Sequence, residues 1–150
     1  NLSDSVRNNI CLASLPEMSP AFVMRRSEEQ AASADMIDRF AIKAARDTMP
    51  VSGLSGGNQQ KVVLGKWFLR QPRVLLLDEP TRGVDVGAKR EIYRIICDFA
   101  AAGGTVVMIS SEIDEILGMS DRILVMRAGR AAGIRNRQET DAQMLVHLST

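Results

Sequence analysis

The chain has 150 residues, 45% of them hydrophobic, with a formal net charge of +1, enough apolar material for one domain with a proper core. Its Lys and Arg are spread along the sequence and form no basic stripe, which excludes a nucleic-acid backbone as partner. Cys11 and Cys97 have neither CxxC spacing nor a nearby histidine, which argues against a disulfide framework or zinc site and for a reducing compartment. No apolar run reaches membrane-span length and no signal-peptide order opens the sequence, so the expectation is a soluble, cytosolic chain.

In chain order, Val6 and Ile10 begin an apolar spacing of three to four over residues 2–15, a short helix that Ser3 or Ser5 can cap and that Pro16 and Pro20 end. Ser27-Glu28-Glu29-Gln30 reads as a capping-box start. With Ile37, Phe40, Ala41 and Ala44 on one face, it predicts a second helix over 27–45. Residues 47–53, with Pro50, Ser52 and Gly53, form a connector.

Leu54-Ser55-Gly56-Gly57-Asn58-Gln59-Gln60-Lys61 is a glycine turn feeding a helix that runs to Gln71 and closes at Pro72. Unpaired N–H groups at a helix start attract anions, although Ser-Gly-Gly there is more often a plain N-cap after a turn. Gly65 costs about 1 kcal/mol against Ala unless another backbone packs on it. Val74 to Leu77 suits a strand covered on both faces of a parallel sheet, and Asp78 and Glu79 stand where it stops. Ligands of open α/β sheets lie beyond the carboxyl ends of strands, and Pro80 blocks further ladder pairing.

Asp85 can cap a helix with Ala88, Ile92, Ile95, Ile96 and Phe99 buried, ending at Gly103-Gly104. Residues 105–109 form another buried strand, and strand, helix, strand implies a crossover in a parallel sheet. A short helix over 112–118, a hairpin of 122–126 with 130–134 across Ala128-Gly129, and a helix over 140–148 with Met144, Leu145 and Leu148 inward complete the chain. Cys11, Cys97, Trp67 and the eight methionines read as packing groups.

Residues 54–61 resemble the signature motif of ABC-type ATPases, and Val74-Leu75-Leu76-Leu77-Asp78-Glu79 resembles their Walker B strand. Pro80-Thr81-Arg82-Gly83-Val84-Asp85 resembles the D-loop; with Val86-Gly87-Ala88-Lys89 it is similar to the second ATPase domain of bacterial monosaccharide importers. The resemblance spans residues 2–133. It implies an α/β fold, a partial P-loop NTPase with a mostly parallel sheet and the helical signature subdomain on the N-terminal side. The implied division is residues 1–52 as part of the helical subdomain, 53–138 as signature helix and ATPase core, and 139–150 as a tail helix.

The resemblance further implies composite ATP sites across a dimer of ATPase domains. Ser55, Gly56, Gly57 and Asn58 would face ATP held by the opposite domain, with Asp85 at the interface. Asp78 would hold Mg²⁺ through water, Glu79 would be the general base, worth about 10²–10⁴-fold, and Ser111 would sit at the γ-phosphate sensor. Membrane permease subunits, docking on residues 6–45, and indirectly a sugar-binding protein would be partners, at the cytoplasmic face of the bacterial inner membrane. The transported sugar is not readable.

Two departures stand out. No G-x-x-x-x-G-K-[ST] phosphate loop occurs, and Gly83 to Lys89 is a near miss with the wrong spacing. This and Asn1 in place of an initiator Met imply a C-terminal part of a longer subunit, unable to cradle ATP alone. Ser111 stands where the family has a switch histidine, and serine carries no charge near neutral pH. Hydrolysis at the site this domain would itself hold is therefore expected to be slow or lost, which keeps open a regulatory domain that only completes a partner's ATP site. Gly53-Leu54-Ser55-Gly56-Gly57 also matches a hydrolase nucleophile elbow, with Ser55, Asp78 and His147 in triad order, but no strand is predicted before the serine.

Overall fold

The computed structural model describes residues 1–18 and 25–149, and these form two compact units: Asn1–Leu76 with Pro80–Val107, and Leu77–Glu79 with Met108–Thr150.

In the first unit, α1 (Val6–Cys11) is capped by Ser5, whose hydroxyl accepts from Asn8 N at 3.1 Å. The connector after residue 46 satisfies two more helix-start donors: Val6 N donates to Met49 O and Arg7 N to Asp47 O, both at 2.9 Å. The Arg7 guanidinium pairs with the Asp47 carboxylate at 2.7 Å. A 3-10 turn (Leu12–Ser14) leads into α2 (Leu15–Met18), so the helical path does not stop at Pro16. Proline fits a first helical turn, where its missing N–H has no intrahelical partner. Pro20 lies outside the described residues.

The second predicted helix is shorter than residues 27–45: α3 spans Arg26–Arg39 and no side chain caps it. Ser27 is inside it, so the capping box does not form. Ala41, with φ of 46°, turns the chain away. The buried stripe is Glu29, Ser33, Met36 and Phe40, while Ile37 is half-buried and Ala41 exposed. In α4 (Gly56–Phe68), Val62, Leu64 and Phe68 face inward. The helix ends before Gln71, which has φ of 48°. A Cβ on Gly65 would meet the Phe40 ring and the Met36 side chain at ordinary distances, so side chains, not backbone, pack there.

Strand β1 (Val74–Asp78) pairs with β2 (Thr105–Ile109). Thr105 N donates to Arg73 O and Glu79 N to Ile109 O, so the strands are parallel. Neither strand is covered on both faces: Leu75 is buried, but Val74 is 54%, Leu76 77% and Val107 51% exposed. The aliphatic run predicts two covering layers, and these residues supply only one. Between the strands, α5 (Val86–Ala101) buries Ile92 and Ile96, with Ile95 and Phe99 half-buried. Phe40, Phe68 and Phe99 stack edge to face at 5.0 and 5.3 Å, joining α3's end, α4 and α5.

In the second unit, α6 (Ile113–Met119) precedes an antiparallel hairpin of β3 (Arg122–Arg127) and β4 (Arg130–Asn136). Its turn is Ala128-Gly129, both with positive φ, the twist that two-residue hairpins favour. Ile123, Val125 and Leu145 form its core, with Ile113, Ile116, Leu117 and Leu148 against it. Helix α7 (Ala142–Ser149) turns Leu145 inward, whereas Met144 is exposed, contrary to the predicted stripe.

The predicted packing groups also divide. Cys97 is exposed and Trp67 is half exposed, with Lys66 Nζ 4.8 Å from its ring centre. Cys11 is fully buried, and burial, with smaller contributions from the Glu29 and Asp47 carboxylates against an opposing Arg7, pushes its thiol from 9.0 up to about 11. The unfolded chain then ionises this thiol first, so its contribution is intact below pH 9 and fades as pH rises toward about 11. The full-length protein should lose up to about 2–3 kcal/mol over that range. Urea melts of a Cys11→Ala variant should lack this alkaline loss.

Candidate functional site

Ser55 occupies the N-cap position of α4 in an extended conformation, but its side chain makes no capping bond to the helix. Instead Asn58 Nδ2 donates to Ser55 Oγ at 2.9 Å, and Lys43 N donates to Asn58 Oδ1 at 2.8 Å. The plain N-cap reading is thus right in position and wrong in bonding. The first N–H groups of α4 lack a side-chain cap beside a serine hydroxyl, an arrangement suited to a phosphate oxygen.

Close packing fixes the glycines. A Cβ on Gly57 would lie 2.3 Å from Ala88 Cβ, and one on Gly56 would lie 3.3 Å from Gly83 O. The start of α4 therefore rests on the loop and helix that follow Walker-B-like β1. Asp85 caps α5 as its sequence position predicts, accepting from Ala88 N at 3.0 Å. Gln60 Nε2 donates to Pro80 O at 2.9 Å, a further tie between α4 and that loop.

One residue of this region escapes the sequence reading. Lys61 is 1% exposed, donating from Nζ to Ala41 O at 2.9 Å and pairing with Glu91 at 2.6 Å. The hydrogen bond from Lys61, reinforced by its charge, holds the Glu91 carboxyl below the usual range. Glu91 is half exposed, so solvent discounts the pair. Positions 57, 61, 64, 65 and 68 share the inward face of α4, and that spacing was the available signal.

The other predicted residues belong to the second unit. Asp78 ends β1 as an exposed residue, and its carboxylate is an oxygen donor of the kind Mg²⁺ prefers. Glu79 follows with φ of 48°, a left-handed conformation costing about 1–3 kcal/mol for a non-glycine residue and typical of functional positions. Its N–H donates to Ile109 O at 2.9 Å, and its Oε1 accepts from Ser111 N at 2.8 Å. Ser110 Oγ accepts from Glu112 N at 3.0 Å, shaping the turn that presents the Ser111 N–H. Ser111 thus meets Glu79 through its backbone.

Ser55, Gly56, Gly57, Asn58 and Asp85 therefore sit in the first unit, and Asp78, Glu79 and Ser111 in the second. The nucleophile-elbow alternative fails on local structure. Val51–Gly53, before Ser55, is a 3-10 turn rather than a strand, the Ser55 hydroxyl is paired with Asn58, and His147 is an exposed residue of α7.

Residues 2–82 match the family model described as ABC transporter. The chain is 46% identical over 149 residues to the ribose import ATP-binding protein of Geobacillus kaustophilus, covering 99% of this chain and 30% of that protein. It is 50% identical to the L-arabinose transport ATP-binding protein of Geobacillus stearothermophilus, covering 99% of this chain and 29% of that one. The chain thus spans about 30% of the length of such relatives. Among solved structures, an inward-facing metal-chelate type ABC transporter aligns with a TM-score of 0.82 at 14% identity, over 97% of this chain and 57% of that one. An ATP-binding cassette of an ABC transporter in its ADP conformation aligns with a TM-score of 0.75 at 22% identity, over 97% and 62%.

Proposed function

The chain belongs to the ABC transporter family, and from that premise we propose that it is part of a longer ATP-binding subunit that powers import of a monosaccharide. The names of its relatives, ribose and arabinose importers, support the sugar class. The observation that carries the nucleotide role is the start of α4, where helix N–H groups without a side-chain cap adjoin the Asn58-held hydroxyl of Ser55. On this reading Ser55, Gly56 and Gly57 bind the γ-phosphate of ATP held by a second ATPase domain, and Asp85 lies where the two domains meet.

At the other carboxylates the roles divide by environment. Asp78 would hold Mg²⁺ through water, and the ion would supply neutralisation of charge on the phosphates. Glu79, fixed at both its N–H and its carboxylate, orients the attacking water and takes its proton. Ser111 stands near the γ-phosphate in place of an imidazole. The exposed apolar side of β1 and β2, Val74, Leu76 and Val107, is covered by the remainder of the longer protein, which also supplies the phosphate loop. Permease subunits dock on residues 6–45 at the cytoplasmic side of the inner membrane; among the described residues no helix is long and apolar enough to cross a membrane.

The test uses the full-length subunit with its permease and binding protein in proteoliposomes. Ser55→Ala should lower ATP hydrolysis and uptake of ribose or arabinose by about tenfold or more, the loss of a hydrogen bond to a charged group. Undiminished hydrolysis by the folded variant would remove Ser55 from the nucleotide site. ATPase activity unresponsive to pentoses and hexoses alike would remove the sugar assignment.

A further inference from the structure

Asn58 is the residue that decides which way the Ser55 hydroxyl points its proton. Its amide cannot be turned over: Lys43 N, a backbone donor, requires the carbonyl oxygen of Asn58 on its side at 2.8 Å. The NH₂ group is thereby aimed at Ser55 Oγ at 2.9 Å. A hydroxyl that accepts from an amide N–H cannot return its own proton along the same line. We infer that Asn58 is a positioning residue that occupies an acceptor lone pair of Ser55 and leaves its O–H directed away, as a donor ready for an anionic oxygen.

The surroundings are built to keep this arrangement. Lys43 belongs to the turn after Ala41, whose left-handed φ of 46° ends the preceding helix. That turn is held a second time, where Lys61 Nζ donates to Ala41 O at 2.9 Å. Two residues of α4, at positions 58 and 61, thus grip opposite ends of one short loop. The loop fixes the amide, and the amide fixes the hydroxyl. Asn58 has its carbonyl oxygen and one amide N–H engaged within the chain, which assigns it an action through Ser55. The inference rests on the proposed role of Ser55 toward the γ-phosphate.

A double-mutant cycle in the full-length subunit tests it, read by kcat and KM for MgATP, by the dissociation constant of a non-hydrolysable ATP analogue, and by thermal melting. Asn58→Ala should lower kcat about tenfold with Ser55 present and change it less than twofold in a Ser55→Ala background. Asn58→Asp keeps the acceptor for Lys43 N but replaces the NH₂ donor with a second acceptor. It should draw the Ser55 proton toward itself, weaken ATP binding more than Asn58→Ala, and leave melting within a few degrees of the parent.

Equal losses from Asn58→Ala in both Ser55 backgrounds overturn the inference, since a merely structural role or a direct contact with ATP would survive removal of the hydroxyl. So does an Asn58→Asp variant with parental ATP affinity. If Ser55→Ala alone leaves hydrolysis and ATP binding unchanged, the γ-phosphate reading of Ser55 fails and this inference with it. A Ser55 effect without coupling to Asn58 sinks only the latter.

Discussion

Glu79→Gln in the full-length subunit should abolish most ATP turnover at the site this domain holds, by about 10²–10⁴-fold, while ATP remains bound. The substitution isolates one property. Gln keeps an oxygen that can accept from Ser111 N, as Glu79 Oε1 does at 2.8 Å, and keeps the N–H that donates to Ile109 O. Shape and backbone are therefore retained, and only the capacity to take a proton is lost. Glu79→Ala would also release the Ser111 peptide, so a comparison of the two separates basicity from positioning.

The same measurement chooses between a hydrolysing domain and a regulatory one. Ser111 brings no imidazole, and its contribution to the carboxylate is a peptide N–H that any residue could provide. A backbone donor holds Glu79 without adding a second titrating group. If turnover by the Gln variant equals the parent's, Glu79 has no role as base and the domain serves only to complete its partner's site. Steady-state hydrolysis together with retention of radiolabelled ATP distinguishes these outcomes.

The positions of the two motifs were legible because their signals are local. Gly-Gly before a helical run and a carboxylate pair after an aliphatic strand need no tertiary information, and neither does the Ala128-Gly129 hairpin turn. What could not be read depends on residues far apart in sequence. The left-handed turn at Ala41 cut α3 short against its own apolar spacing, because Ile42 is wanted in the core at 5% exposure. The amide of Asn58 is set by Lys43, 15 residues earlier, and Lys61 is buried against a carbonyl 20 residues away. Hydrophobic periodicity sees such residues only as polar interruptions. The exposed faces of β1 and β2 were misjudged for a different reason: an aliphatic run reports how many covering layers a strand was selected for, and not whether these residues contain them.

Gly57→Ala should be strongly damaging for the addition of a single methyl group. The added Cβ would stand 2.3 Å from Ala88 Cβ, 3.4 Å from Val84 Cγ1 and 3.7 Å from Ala88 Cα. Neither Cβ can rotate away, so the starts of α4 and α5 must separate, at a cost of about 1–3 kcal/mol for an overpacked contact. The gain in helix propensity, up to about 1 kcal/mol, offsets only part of that. The separation would fall on the glycine that presents its N–H beside Ser55 and on the helix that Asp85 caps. Hydrolysis should therefore drop further than the melting temperature alone explains. Ala88→Gly removes the obstructing atom, and the paired Gly57→Ala, Ala88→Gly variant should recover most of the lost activity while staying slightly less stable than the parent. Activity in the paired variant no higher than in Gly57→Ala would mean that the added methyl acts at the helix start beside Ser55 and not at the contact between the two helices.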